Sequence, residues 1–211
     1  MPEEKIISMA VIRRLPRYFR YLSDLIKLDI KRISSKELSE RMCITASQIR
    51  QDLNCFGGFG QQGYGYNVES LYYEIGKILG VDKRFACIII GAGNMGTALA
   101  NYENFKRRGY DILAIFDADP NKIGRKINQM EVLPVDSLPG FLAKNKVDIA
   151  MLTVPSSRIA EVASRVTGLG IKGVWNFTPN DLRMGDGIVI ENVHLSDSLM
   201  VLGYRLRDKG Y

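Results

Sequence analysis

The chain has 211 residues, of which 46% are hydrophobic and 25% charged, with a formal net charge of +6 and one histidine. That fits one large domain or two small ones, and the composition is that of a globular protein rather than a disordered or fibrous one. No apolar stretch approaches the ~18 residues that span a bilayer, and MPEEKIISMA has no long apolar core, so membrane and export readings are excluded and a cytoplasmic protein is expected.

Cys43, Cys55 and Cys87 show no CxxC spacing. With His194 as the sole histidine they leave too few ligands for a structural zinc, so neither a metal nor a disulfide framework is expected. The positive charge is unevenly placed. Residues 9–60 hold ten Lys/Arg against five acids, whereas residues 81–211 hold seventeen against fourteen. Basicity concentrated at one end suggests a polyanion partner there, although a solvated basic face gives the same count.

From Val11 to Ile26, apolar residues recur at steps of three and four, with Arg13, Arg14, Arg17 and Arg20 on other sides. Pro16 is tolerated only in a first turn, which places a regular helix from about Pro16 to Lys27. Two short helices follow, each announced by a cap: Ser34–Glu37 fits S-x-x-E and Thr45–Gln48 fits T-x-x-Q. Met42-Cys43-Ile44 between them is a tight connection, and the arrangement is that of a helix-turn-helix. Thr45–Phe56 is then the recognition helix, with Ile49 and Leu53 inward and Ser47, Gln48, Arg50, Gln51 and Asn54 outward. These outward types reach base edges or phosphates. GGFGQQGYGY (57–66) suits a hairpin placed as a wing, bringing Gln61, Gln62 and Tyr64 toward DNA. The plainer alternative is a small helical docking domain followed by a glycine-rich linker. Glu69–Leu79 reads as a closing helix and Gly80–Lys83 as a boundary, giving a first domain over residues 1–80.

Phe85–Ile90 is a continuous apolar run of strand length, as a buried parallel strand should be. It leads into Gly91-Ala92-Gly93-Asn94-Met95-Gly96 and a helical stretch over Thr97–Arg108; a second strand, Ile112–Phe116, ends in Asp117. A G-x-G-x-x-G alone is weak evidence, but here it sits between strand and helix, with a carboxylate twenty-one positions past Gly96. Gly91 allows the sharp turn, Gly93 lets the backbone approach a pyrophosphate, and Gly96 lets helix and strand pack closely. The helix start offers amides to phosphates. A carboxylate at Asp117 accepts from ribose hydroxyls and repels a 2′-phosphate, which favours NAD(H) over NADP(H).

The alternation continues with strands at Val147–Val154, Gly173–Phe177 and Ile188–Val193, and a helix at Ser157–Gly168. The fold class is therefore α/β: a winged helix-turn-helix unit followed by a Rossmann-type, doubly wound parallel sheet over residues 81–193. Thr153-Val154-Pro155 and Asn176–Pro179, beyond the carboxyl ends of strands, are candidate pocket walls. Residues 194–211 form a last segment in which Leu195–Asp208 reads as a helix with Leu195, Leu199, Leu202 and Leu206 on one face, which suits docking onto a second subunit.

The catalytic inventory is poor. A dehydrogenase needs a proton donor or acceptor near the nicotinamide, and neither a Lys–Tyr–Ser set nor a Cys–His pair is evident, so no catalytic residue is assigned and no enzyme is expected. A sensor of NADH against NAD+ fits better. A small NAD-dependent oxidoreductase, or a CoA-binding protein with a basic docking module, is the alternative.

The stretches RLPRYFRYL, SSKELSERM, TASQIRQDL, FGGFGQQGYGYNV, GAGNMGTALANY, FDADPNKIG and GIKGVWNFTP, with the final helix, resemble the redox-sensing transcriptional repressor Rex family over nearly the whole chain. The resemblance implies a homodimer with swapped C-terminal helices, bound to palindromic operator DNA and released by NADH. It implies that Gly91, Gly93, Asn94, Met95, Gly96 and Asp117 bind the dinucleotide, and that Arg20 and Tyr102 couple it to DNA binding. Three features, over four positions, depart from the family pattern. Gln51 replaces the usual lysine after the recognition-helix arginine, Gln61 and Gln62 replace basic wing residues, and His194 replaces an aspartate before the final helix.

Overall fold

The computed structural model describes residues 7–56, 60–61 and 65–210. By contacts the chain divides into two compact units, the first ending at Lys83 and the second beginning at Arg84.

The first unit runs α1 (Met9–Ile12), α2 (Leu15–Lys27), β1 (Arg32–Ile33), α3 (Ser35–Met42), α4 (Ala46–Asn54), β2 (Gly60–Gln61), β3 (Gly65–Asn67) and α5 (Val68–Leu79). Pro16 lies in the first turn of α2, where its missing amide costs nothing. The heptad-like spacing of α2 delivers Leu15, Tyr18, Phe19, Leu22 and Leu25 to one core, shared with Leu38, Ile49, Leu53, Leu71 and Ile75. Fully burying each of the aliphatic side chains contributes about 1.5–3 kcal/mol. Phe19 stacks on Tyr72 at 4.3 Å, tying α2 to α5.

β1, unforeseen from the sequence, joins β3 and β2 in a three-stranded antiparallel sheet. Arg32 and Ile33 are too short a run to signal a strand; pairing with Tyr66 and Asn67 makes them one. Gly65 has φ of +69°, and a Cβ there would lie 2.6 Å from the Ile33 carbonyl oxygen, so only glycine lets these strands meet.

The second unit runs β4 (Phe85–Ile90), α6 (Asn94–Ala100), α7 (Asn104–Arg107), β5 (Tyr110–Asp117), β6 (Lys126–Ile127), β7 (Met130–Pro134), α8 (Leu138–Leu142), β8 (Ile149–Leu152), α9 (Ile159–Gly168), β9 (Gly173–Asn176), β10 (Val189–Asn192) and α10 (Leu195–Asp208). Among the described residues the strands form one sheet in the order β10-β9-β8-β4-β5-β7-β6, parallel except for the β6–β7 hairpin. This is a Rossmann-type α/β sheet with helices on both faces. β4 shows why its run is continuously apolar. Ile88 and Ile90 pack under Ile159, Ala163 and Val166 of α9, while Cys87 and Ile89 pack on the opposite face under Leu99 and Ala100 of α6.

The single helix expected over Thr97–Arg108 is two. Asn101 turns its amide back onto the Thr97 carbonyl at 2.8 Å and ends α6, a competition with the backbone typical of asparagine. The β6–β7 hairpin was not foreseen either, because its turn is Asn128-Gln129, at φ of +47° and +65°, with no glycine to mark it.

From central β4 the chain moves out through β5 on one side and returns to β8 on the other. The crevice at this reversal lies beyond the carboxyl ends of the strands, where Gly91 follows β4 and Thr153 follows β8.

Candidate functional site

In the first unit, Ser34 and Glu37 form a complete capping box at the start of α3. Cys43 then takes a left-handed conformation, φ +51°, and lets the chain reverse into α4. Thr45 Oγ1 accepts from the Gln48 amide at 3.2 Å, but the reciprocal half of the expected T-x-x-Q box is missing. The Gln48 side chain instead donates to Asp52 at 2.8 Å. Gln48 is thus half-buried and not the free outward donor that its position suggested.

Asp52 is fully buried on α4 and accepts three further bonds: Arg14 Nε at 2.6 Å and a second Arg14 nitrogen at 2.7 Å, from the residue that caps α2, and the Tyr18 hydroxyl of α2 at 2.9 Å. Burial by itself would raise the Asp52 carboxyl; the donors from Arg14, Gln48 and Tyr18 outweigh it and hold the pKa below the ordinary value. Arg17 donates to the carbonyl of Met42, at the end of α3. Arg14 and Arg17, counted at first with the outward basic charge, therefore position the helix-turn-helix from inside.

Ser47, Arg50, Gln51 and Asn54 are exposed along α4. Arg50 donates to the Ser35 hydroxyl at 2.9 Å, which holds its guanidinium over the start of α3. The Gln61 side chain, Gln62 and Tyr64 lie outside the described residues.

In the second unit, a cavity of about 520 Å³ opens at the β4/β8 reversal and brings together Gly91, Gly93, Asp117, Thr153, Val154 and Pro155. That volume suits a small-molecule or cofactor site. Ala92, Asn94, Met95 and Gly96 belong to the same turn and the start of α6 without lining the cavity.

The three glycines are required for different reasons. At Gly91 (φ +109°) a Cβ would lie 2.6 Å from the Thr153 carbonyl oxygen, and at Gly96 it would lie 1.9 Å from the Gly91 carbonyl oxygen; the fold itself forbids a side chain at both. At Gly93 a Cβ would meet nothing within 4 Å. The protein leaves open the spot where the fold brings a dinucleotide's pyrophosphate against the backbone, so these residues fit such a ligand.

Asp117 is nearly buried, and its carboxylate is already bonded within the chain. Oδ2 accepts from the Ala92 amide at 2.6 Å, and Oδ1 accepts from the Asp119 amide at 2.8 Å. Lys122 Nζ stands 3.2 Å from Oδ2. Burial raises this carboxyl, but the two amides and Lys122 prevail and keep it ionised below its usual pKa. Sequence reasoning missed Lys122, Arg158 and Arg165 on this cavity wall. Lys122 stands five positions past Asp117, inside the FDADPNKIG stretch, where the resemblance to the family implies a role only for Asp117.

Asn176 and Thr178 are buried and belong to a polar cluster at the ends of β9 and β10. The Asn176 side-chain amide donates to the Asn180 carbonyl and to Asn192 Oδ1, each at 2.8 Å. Asn176–Pro179 thus brace a loop and do not line the cavity. That loop carries Asp181, whose carboxylate lies 2.8 Å from Nε2 of His194 at the start of α10. The hydrogen bond to Asp181 raises the His194 pKa above its ordinary value.

Arg20 and Tyr102 are exposed in the first and second units, respectively. Burial pushes the Cys87 thiol up to about 12, which leaves it inert. No group of three His, Cys, Asp or Glu able to hold a metal occurs among the described residues, and no helix among them is long and apolar enough to cross a membrane.

Fold and site define the class: a helix-turn-helix unit joined to a Rossmann-type nucleotide-binding unit. A family model described as "Putative DNA-binding protein N-terminus" matches residues 6–54, and one described as "CoA binding domain" matches residues 82–180. The chain is 56% identical to the redox-sensing transcriptional repressor Rex of Thermoanaerobacter sp. (strain X514), covering 99% of this chain and 93% of that protein. It is 57% identical to the Rex repressor of Clostridioides difficile (strain 630), over 97% of each. The crystal structure of RSP, a Rex-family repressor, superposes with a TM-score of 0.90 at 54% identity, covering 98% of this chain and 96% of that one. RSP in complex with β-NAD+ and operator DNA gives 0.89 at 56% identity, covering 98% and 95%. The chain belongs to the Rex family of redox-sensing transcriptional repressors.

Proposed function

We propose that this protein represses transcription according to the NADH/NAD+ ratio: as a homodimer in the cytoplasm it binds palindromic operator DNA, and NADH releases it. The observation that carries this reading is its likeness, over 98% of the chain, to a repressor solved both with β-NADH and with β-NAD+ and operator DNA. Residues 1–80 form the DNA-binding domain, 81–193 the dinucleotide domain and 194–211 the swapped dimerisation segment.

The roles follow from chemistry. Ser47, Arg50 and Gln51 meet bases and phosphates, with Gln48 held against Asp52 at the edge of that surface, and Gln61, Gln62 and Tyr64 of the wing meet the backbone or minor groove. Gly93 admits the pyrophosphate, Asp117 receives the adenosine ribose, and Thr153 and Pro155 form the opposite wall. α10 has no buried side chain, and Leu195, Leu199, Leu202 and Leu206 are all exposed, which suits a helix completed by a second subunit. A nucleotide that favours one dimer geometry shifts the population toward it and alters the spacing of the two α4 helices. Arg20, Tyr102 and His194 serve this coupling, and no residue is assigned a catalytic role.

The test is a fluorescence-anisotropy titration of an inverted-repeat operator without nucleotide, with NAD+ and with NADH. Tight binding lost with NADH alone is the expected result; binding indifferent to NADH overturns the reading. The family-model match described as "CoA binding domain" favours a second reading, in which the second unit takes CoA. Tight CoA binding with no NADH binding would establish it, and NADH turnover with a carbonyl substrate would establish an oxidoreductase instead.

A further inference from the structure

We propose that Lys122 sets how strongly the dinucleotide pocket rejects a 2′-phosphate, acting as the shared counter-ion of Asp117 and Asp119. The inference rests on the dinucleotide reading above and specifies its selectivity. Asp117 does not need Lys122 to hold its orientation, because each carboxylate oxygen is already fixed by a backbone amide, Ala92 at 2.6 Å and Asp119 at 2.8 Å. Lys122 Nζ nevertheless stands 3.2 Å from Asp117 and 3.9 Å from Asp119, and it lines the same cavity.

The cavity's other cations are engaged elsewhere. Arg158 pairs with Glu161 at 3.1 Å, and Arg165 pairs with Asp136 at 3.0 Å. Among the described residues lining the cavity, Lys122 is the cation paired with Asp117 and Asp119, at the end where the dinucleotide reading puts the adenosine ribose. A 2′-hydroxyl donates to Asp117 whether or not Lys122 is charged. A 2′-phosphate brings up to two negative charges beside two carboxylates, with one ammonium to offset them. Rejection of that phosphate depends on how much carboxylate charge is left uncompensated, not on Asp117 alone.

Removing one unit charge about 5 Å from the phosphate, at an effective dielectric near 20, changes affinity by roughly two decades or more for each phosphate charge before salt screening. At least tenfold is expected to survive screening. Isothermal titration of the full chain with NADH and NADPH, and with 5′-AMP against adenosine 2′,5′-bisphosphate, reads the selectivity as a ratio of dissociation constants. In Lys122→Met the ratio disfavouring the 2′-phosphate rises at least tenfold, most steeply at low salt. In Lys122→Arg it stays within threefold of the parent. In Asp119→Asn, where Lys122 serves one carboxylate instead of two, it falls.

A parent protein that binds no NADH overturns the dinucleotide reading, and this inference with it. A parent that binds NADH, with a selectivity ratio unmoved in both Lys122→Met and Asp119→Asn, overturns this inference alone. Asp119→Asn changes an exposed side chain, so the test survives if Lys122→Met does not fold.

Discussion

Asp52→Ala removes the acceptor that ties α4 to α2. The variant strands the Tyr18 hydroxyl, which has no exposure to water, and frees Arg14, whose side chain is 31% exposed. An unsatisfied buried hydroxyl costs about 1–3 kcal/mol. Breaking a fully buried ion pair costs about 3–5 kcal/mol, but Arg14 can turn into water, so the lower end applies and a total of about 3–4 kcal/mol is expected. Trp175, the sole tryptophan, lies in the second unit, so its fluorescence cannot follow this loss. Amide hydrogen exchange can. At about 1.4 kcal/mol per decade, protection of the Ile49–Leu53 amides should fall by two to three decades, while the β4 and β8 amides keep theirs. Operator affinity should fall with it. The sign with pH is also fixed. The Asp52 carboxyl is held below its ordinary value in the fold, so its contribution is present above the unfolded pKa, about 4, and is lost as pH drops through the folded one. Parent and variant should therefore converge in strongly acidic buffer. Protection of α4 unchanged within tenfold at neutral pH would refute the clamp.

Three further outcomes are expected. Gly93→Ala should keep its melting temperature, because its Cβ meets no protein atom, yet lose NADH affinity at least tenfold by titration; Gly96→Ala should unfold the second unit, with its Cβ 1.9 Å from a carbonyl oxygen. The raised pKa of His194 means that its ion pair with Asp181 is present at low pH and lost as pH rises through that value. NADH release of the operator should accordingly change as pH rises through the region above the ordinary histidine value in the parent and be flat in His194→Gln, measured by anisotropy; identical profiles would remove His194 from the switch. Leu199→Glu with Leu202→Glu should sediment as a monomer with unchanged circular dichroism, since each buried leucine is worth about 1.5–3 kcal/mol at an interface and nothing at a free surface. A double variant that stays dimeric would show that the face of α10 is not the contact.

Much was legible because the signals were local. Ser34–Glu37 encodes its own cap, Phe85–Ile90 its buried strand, and Leu195–Asp208 its helix with matching bounds, each through a period or motif read within a dozen residues. The G-x-G-x-x-G between strand and helix, with Asp117 after the next strand, identified the crevice because backbone conformation and close packing demand glycine at fixed offsets. Asp52, by contrast, read as an ordinary polar residue on a helix face. Only the approach of α2, thirty-eight residues earlier at Arg14, turns it into the buried centre of a network.

The sequence by itself determined the two-part architecture, the parallel sheet and the placement of the glycine turn, because these depend on periodicity and on residues with unusual backbone freedom. Tertiary structure decided which polar side chains face outward and which are held inside. Arg14, Arg17 and Gln48 look like surface groups from their spacing, yet packing turns them onto Asp52 and the Met42 carbonyl. It also decided that Gly91 and Gly96 have no room for a Cβ, whereas a Cβ at Gly93 would meet nothing. The reason is the same in each case: the partner of a long polar side chain, or the emptiness beside a glycine, is set by segments distant in sequence, and those meet only when the chain has folded.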